Sequence, residues 1–384
     1  MDYFLSERHQ DLRDLTRRIA TEKVRPVAAK HDRDGTFPWD MVEVFRQAGL
    51  FGAYMPEEYG GMGGGVMDLV LVTEELSRIC GGIALAVAAT ALGTFPILLS
   101  GNDEQKKRYL PDLAAGKMLA GFGLTEPNAG SDAGGIQTRA VMKGDKYILN
   151  GLKHFITNGS VAKIYTVIAS TDPQKGSRGA SAFIVEEGFP GFRYGKIEDK
   201  LGIRASKTSE LVFEDCEVPV ENRLGSEGQG FVVAMRTLDR SRPGVAAQAL
   251  GIAQGAYDLA VDYTQKRIQF GKSIASNQAV QFMLADMAIQ IEAARAMIYA
   301  VSRMIDAGKD RIAKESAMCK VFASDTAMQV TVDAVQLFGG YGYMHDYPIE
   351  KFMRDAKITQ IYEGTNQIQR TVIGRHILKE GAGG

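Results

Sequence analysis

The sequence predicts a mainly α-helical protein with a central β-domain. Three observations predict it: helical periodicity up to about residue 120, short β-branched and aromatic runs from 121 to 230, and long apolar-striped helices from 231 to 384. At 384 residues the chain can bury a large core and divides naturally into two or three domains. The expected boundaries are 1–120, 121–230 and 231–384.

The first region opens with a helix whose Leu12, Leu15 and Ile19 share one face, and Pro26 is expected to help end it. "WDMVEVFRQAGLFG" carries an apolar stripe and a Gly stop, and "NDEQKKRYLPDLAAG" opens with capping residues. The uncharged run from Ile83 to Leu99 falls short of a membrane-spanning length, and Gly93, Thr94 and Pro96 interrupt it. It reads as a buried core helix broken near Pro96. In the second region "KYILNG", "IYTVIAST", "SAFIVEEG", "FRYGKI" and "SELVFEDCEVP" are separated by Gly, Asp, Asn and Pro, the pattern of a small antiparallel β-domain. In the third, Val280, Leu284, Met287, Ile291, Ala294, Ile298, Val301 and Ile305 follow 4-3-4-3 spacing, which predicts a bundle helix. A further helix, with Met328, Val332 and Val335 as its stripe, is expected to end at Gly339-Gly340.

Composition narrows the function. The apolar share of 45% and charged share of 24% are ordinary for a globular protein. A formal net charge of −1 removes the bulk electrostatic case for nucleic acid or a membrane surface as partner. Cys80, Cys216 and Cys319 are too few and scattered for a disulfide framework, and no Cys or His spacing suggests a metal. The N-terminus is polar with no secretory apolar core, so a cytoplasmic protein is expected; a mature mitochondrial-matrix form fits the same sequence.

Several short stretches are candidates for chemistry. "GFGLTEPNAGSD" offers the Thr125 and Ser131 hydroxyls beside glycines that admit a ligand to the backbone, though an ordinary hydroxyl-rich turn reads the same way. "KHFITNG" places Phe155 and Thr157 two residues apart on a strand, which suits a flat heteroaromatic ring, or a core Phe and a surface Thr. Arg267 in "QKRIQFGK" is either a solvated helix-end cation or a fork donor for a pyrophosphate. Glu363 in "IYEGTNQIQR" is either a loop acid or a general base.

Together, "GFGLTEPNAGSDAGG", "HFITNG", "RIQFGK", "QLFGGYGY" and "RDAKITQIYEGTNQIQR" resemble the landmarks of the acyl-CoA dehydrogenases, in order and over essentially the whole chain. "LGIAQ" and "YGKIEDKLGIR" are most similar to the short-chain, butyryl-CoA-type branch. The resemblance implies an N-terminal helical domain, a β-barrel-like middle domain and a C-terminal four-helix bundle, assembled as a homotetramer. It implies FAD, an acyl-CoA substrate and electron-transfer flavoprotein as electron acceptor, with no nucleic-acid or membrane partner.

Carried over residue by residue, Phe122, Leu124, Thr125, Gly130 and Ser131 border the flavin. Phe155, where many members carry Trp, lies near the isoalloxazine with Ile156, and Thr157 near its N5 edge. Arg267, Phe270, Gln278 and Gln336, Leu337, Phe338, Gly339 and Gly340 match positions that bind the pyrophosphate and adenosine end across a subunit interface, as do Thr365, Asn366 and Gln367. Ser131, Asp239, Arg242 and Gly364 match substrate contacts; Asp239 with Arg242 also reads as a plain ion pair.

In the family one carboxylate removes the pro-R α-proton while the β-hydrogen leaves as hydride. It sits either in the Tyr-Glu-Gly stretch, here Glu363, or on an earlier bundle helix, where this chain has Ser241. Glu363 is therefore the expected base, with Tyr362 as an apolar wall and Gly364 making room for the thioester. "IALAVAATALGT" lacks Arg or Lys, which argues against a dicarboxylic acyl group and leaves butyryl, branched and alicyclic groups. The same site suits an enoyl-CoA reductase run in reverse. Relatives of this fold also include nitroalkane oxidases, which use a different acid, and nucleic-acid binders, which carry an added basic domain.

Overall fold

The computed structural model describes residues 3–381. Residues 1–2 and 382–384, at the outer ends of the first and third predicted regions, lie outside the described residues.

Helix α1 (Glu7–Ile19) starts at Ser6, whose side chain accepts from the His9 amide, and it buries Leu12, Thr16 and Ile19. Leu15 is only part-buried. Pro26 does not end the helical run. A π-turn over Ala20–Val24 leads directly into α2 (Arg25–Asp34), with Pro26 in its first turn, where a missing N–H costs nothing. The stop comes at Gly35, in the left-handed region at φ 60°. Helix α3 (Trp39–Gln47) buries Met41, Val42 and Phe45, and α4 (Val66–Ser77) is buried along its whole length.

Helix α5 (Gly81–Ser100) runs unbroken through Pro96. Packing against α4, β1 and a later bundle helix overrides the local cost of the proline. Gly93 lets it approach the sheet, because a Cβ there would sit 2.6 Å from the Gly121 amide nitrogen. Helix α6 (Asp103–Ala114) opens with a reciprocal Asn102–Gln105 capping box.

The middle region is a mixed sheet. Its strands are β1 (Ala120–Gly123), β2 (Arg139–Lys143), β3 (Lys146–Thr157), β4 (Ile164–Ser170), β5 (Ala180–Glu186), β6 (Phe192–Ile197), β7 (Thr208–Pro219) and β8 (Arg223–Leu224). Their order is β6-β7-β3-β2-β4-β5-β8, with β1 beside β4. The expected antiparallel pattern is corrected at two places, since β1 and β2 both pair with β4 in parallel. These pairings join strands distant in sequence, which no local turn signal records.

Helix α7 (Gly230–Lys266) begins the last region and is followed by a small hairpin of β9 (Ile268–Gln269) and β10 (Lys272–Ser273). Then come α8 (Gln278–Asp306), α9 (Ala313–Phe338), α10 (Ile349–Thr359) and α11 (Asn366–Glu380). In α8 the predicted stripe is buried from Met287 to Ile305, while Val280 and Leu284 are part-buried. In α9 the predicted stripe is off by about one position. Val332 is 44% exposed, and the buried face is Ala323, Ala327, Val330, Ala334 and Leu337. Small residues, rather than the larger apolar ones, meet α7 there, which allows the two helices to lie close.

Candidate active site

Glu363 lies in a six-residue connection between α10 and α11, at φ 51°, a left-handed conformation that side-chain-bearing residues rarely adopt. Gly364 follows at φ 92°. The turn is closed by the Ile361 and Tyr362 amides donating to Ile358 O (2.8 and 3.1 Å) and the Asn366 amide to Gln360 O (3.0 Å). Thr365 then caps α11 by accepting from the Ile368 amide at 3.3 Å.

The Glu363 carboxylate meets Ser241 of α7, whose hydroxyl donates to it across 122 residues of sequence. The two alternative base positions therefore converge on one point in space. Burial pushes the Glu363 carboxyl above its ordinary range, while the Ser241 hydrogen bond and the charges of Arg242 and Lys320 pull it back. Arg242 is itself buried and paired with Asp239. Tyr362 turns its hydroxyl to Gln248, and burial beside Glu363 raises its pKa.

A cavity of about 610 Å³ opens in front of Glu363. The sheet side supplies Phe122, Leu124, Thr125, Gly130, Ser131, Phe155, Ile156 and Thr157, so the sequence-predicted flavin-side residues are brought together. Phe155 and Thr157 share this wall despite a bulge between Lys153 and Ile156 that breaks strand alternation, with Phe155 at φ 59°. The Phe155 ring stacks on His154 at 3.9 Å. Two ties hold the wall together: the His154 amide donates to Thr125 O at 2.8 Å, and buried Lys153 donates to Leu124 O (3.0 Å) and Glu126 (2.6 Å). Helix α5 contributes Leu85, Ala88, Ala89, Leu92 and Phe95, none of them charged. A larger hollow of about 770 Å³ lies over α2, α7 and α10, but its Arg78, Arg354 and His345 are already paired with Asp258, Asp32 and Glu350.

The other predicted residues do not line the cavity: Asp239 lies on α7, Thr365, Asn366 and Gln367 start α11, and the rest lie around the hairpin and the end of α9. Arg267 lies 5.3 Å over the Tyr341 ring, Phe270 is fully exposed at the hairpin tip, and Gln336, Gly339 and Gly340 are exposed nearby. Gln278 starts α8 just beyond the hairpin. None of these lines the cavity of the same chain. At four positions the structure shows what the side chain, or its absence, does. Leu337 and Phe338 are buried, with Phe338 stacked on Tyr263 at 4.0 Å, so their side chains serve the core. The Asn366 side chain is buried and spent on Lys320, Ser324 and Asp325. Gly364 is needed less for room in the cavity than for its backbone, since a Cβ there would lie 2.4 Å from Gln369 Nε2.

Sequence reasoning missed Gln248, Lys320 and Gln369. Lys320 is fully buried in α9, where burial lowers its pKa to about 8. It stands between Ser316-Ala317 and Ala323-Ser324 on the small-residue face, and a lysine on that stripe was the available signal.

The site residues fit a flavin nucleotide. Among the described residues, the Thr125, Ser131 and Thr157 hydroxyls on the cavity wall have no partner, beside an exposed aromatic ring. The Glu363 and Gly364 amides likewise have no acceptor among the described residues.

Three family models match the chain: "Acyl-CoA dehydrogenase, N-terminal domain" over residues 6–117, the middle domain over 121–216, and the C-terminal domain over 228–378. The chain is 49% identical over 380 residues to "Acyl-CoA dehydrogenase, short-chain specific" of Clostridium acetobutylicum, covering 99% of this chain and 100% of that protein. It superposes with a TM-score of 0.96 on butyryl-CoA dehydrogenase from Megasphaera elsdenii, at 48% identity, covering 98% of this chain and 100% of the other. A chain in the solved structure described as "Electron transferring flavoprotein of Acidaminococcus fermentans: Towards a mechanism of flavin-based electron bifurcation" is similar at 52% identity and a TM-score of 0.97, covering 99% and 100%.

Proposed function

Since the chain belongs to the acyl-CoA dehydrogenase family, we propose that it introduces a 2,3-double bond into a short, branched or alicyclic acyl-CoA, with Glu363 as the general base. The family is one of flavoprotein oxidoreductases, of which this chain is of the short-chain type. FAD, when bound, supplies the hydride acceptor. Thr125, Ser131 and Thr157 would hold it from this subunit's cavity wall, and Arg267, Phe270, Gln278 and the Gln336–Gly340 segment would serve the cofactor of a neighbouring subunit.

The observation that carries this reading is the convergence of Ser241 and Glu363 at the cavity. A thioester α-proton is only feebly acidic, so its removal needs a base of raised pKa and a polarised carbonyl. Burial provides the first at Glu363. The second falls to the Glu363-Gly364 amide, whose carbonyl, Glu363 O, is drawn back by Gln369, while Lys320 holds the next carbonyl, Gly364 O. Arg242 lines the cavity beside the base, with Asp239 paired to it, and is suited to the CoA chain. The uncharged α5 wall suits a neutral acyl group rather than a second carboxylate.

The similarity to a chain in an electron-transferring flavoprotein structure supports such a protein as electron acceptor. A homotetramer is supported by exposed Phe270, Phe282, Ile289 and Tyr343, which a lone chain leaves to water.

Anaerobic mixing of flavin-loaded protein with a panel of butyryl-, branched- and alicyclic-acyl-CoAs, read by flavin absorbance, tests the reading. Glu363→Gln should retain acyl-CoA binding and lose bleaching by about 10²–10⁴-fold or more. Near-wild-type bleaching in that variant would remove Glu363 from the mechanism.

A further inference from the structure

Two buried polar side chains hold the Glu363 turn from behind, and we propose that one of them, Lys320, is a positioning residue for proton abstraction, fixing the turn that presents the Glu363 carboxylate to the cavity. The inference rests on the reading of Glu363 as the base.

Lys320 Nζ donates to Gly364 O and to Asn366 Oδ1, each at 2.8 Å. Gln369 Nε2 donates to Glu363 O at 2.8 Å and Gly364 O at 3.2 Å. Both carbonyls of the turn are therefore tied to α9 and α11, on the side away from the cavity. Because a peptide plane is rigid, fixing a carbonyl fixes the following amide on the opposite side. Fixing Glu363 O thus orients the Gly364 amide, and fixing Gly364 O orients the Thr365 amide; neither of these two amides has an acceptor among the described residues. The same ties hold Glu363 in its left-handed conformation, which is otherwise disfavoured.

A purely structural role accounts poorly for a cation here. Lys320 is 0% exposed and makes no ion pair within 4 Å among the described residues; its hydrogen-bond partners are both neutral. Burying a charge in that way is expensive compared with a methionine of similar shape. The acids it faces are Glu363 and Asp325. Its charge, like that of Arg242, favours the carboxylate form of Glu363.

The charged and titratable groups around the base are few. From α7 come Arg242 and its partner Asp239; from α9, Lys320, Asp325 and the buried Cys319; from the turn, Tyr362; and from α11, Arg375 on the cavity wall and His376 near Asp239. Removing Lys320's charge raises the Glu363 pKa, so the acid limb of kcat/KM must move to higher pH.

The test uses full-length, flavin-loaded Lys320→Met and Lys320→Gln, with Glu363→Gln in parallel. Amide hydrogen exchange of the 360–366 peptide, read by mass spectrometry without substrate, should quicken by about tenfold or more in Lys320→Met, because the turn opens locally. The maximal rate of flavin bleaching should fall on the order of 10²-fold with little change in KM. In both variants the acid limb should rise, by less than loss of the direct Ser241 hydrogen bond would produce. If the Met variant does not accumulate, Lys320→Gln decides alone through its acid limb. Wild-type exchange with an unmoved limb, or a lowered melting temperature as the only effect, overturns the proposal. If Glu363→Gln still bleaches, the base assignment is what fails. If it does not and Lys320→Met behaves as wild type, only the role of Lys320 falls.

Discussion

Ser241→Ala isolates one force acting on Glu363, the proposed base. The Ser241 hydroxyl donates to Glu363 Oε2, and among the described residues it is the one side chain that does so. Ser241 is buried, so water does not readily replace it. A hydrogen bond to a charged group contributes roughly 1.5–3 kcal/mol. One pKa unit corresponds to about 1.4 kcal/mol, so losing this donor should raise the Glu363 pKa by about one to two units. The sign follows from the donor favouring the charged form. Glu363 acts as a base only when ionised, and it starts from a pKa already lifted by burial. The acid limb of kcat/KM for flavin bleaching should therefore move up by the same amount. At the pH of the wild-type midpoint, a shift of that size lowers the rate by roughly 5- to 50-fold, and the difference should vanish well above the new midpoint. The assay is anaerobic rapid mixing across the pH range with one good acyl-CoA. Identical limbs in the two proteins would refute the reasoning, and so would a rate loss that persists at high pH.

Three further outcomes are expected. Ser241→Glu in a Glu363→Gly background should restore part of the bleaching and favour a different acyl shape, since the two positions meet at one point from different helices; no recovery with any acyl-CoA would count against the convergence. Gly364→Ala should lose activity and about 1–2 kcal/mol of stability, because φ is 92° there and the new Cβ would press on Gln369; an unchanged denaturant midpoint would contradict this. Lys153→Met strands buried Glu126 and should cost about 3–5 kcal/mol by chemical denaturation, with Glu126→Gln recovering part of it in the double variant; independent, additive effects would show that the pair is not coupled.

Some of this molecule is written locally in its sequence. Periodicity of 3.6 or 2 residues, Gly stops and capping residues determine element type, and these found α1, α3, α5, α6, α8 and β3 to β7. The landmarks around Thr125, Thr157 and Glu363 were legible for the same reason, since each is a short stretch of unusual residue types. Contacts between distant segments were decided only in the tertiary structure. Packing carried α5 through Pro96 and a π-turn carried the chain past Pro26, whereas local preference alone would have stopped both helices. Close approach to α7 put the small residues of α9 inward and left Val332 exposed, shifting a stripe that hydrophobicity alone had suggested. The site divides in the same way. Glu363 could be named from its neighbours, but its state depends on Ser241, Arg242 and Lys320, which come from two other helices. Burial and charge act through space, and a sequence records spacing along the chain, so the proposed base could be named from the sequence and the forces acting on its carboxylate could not.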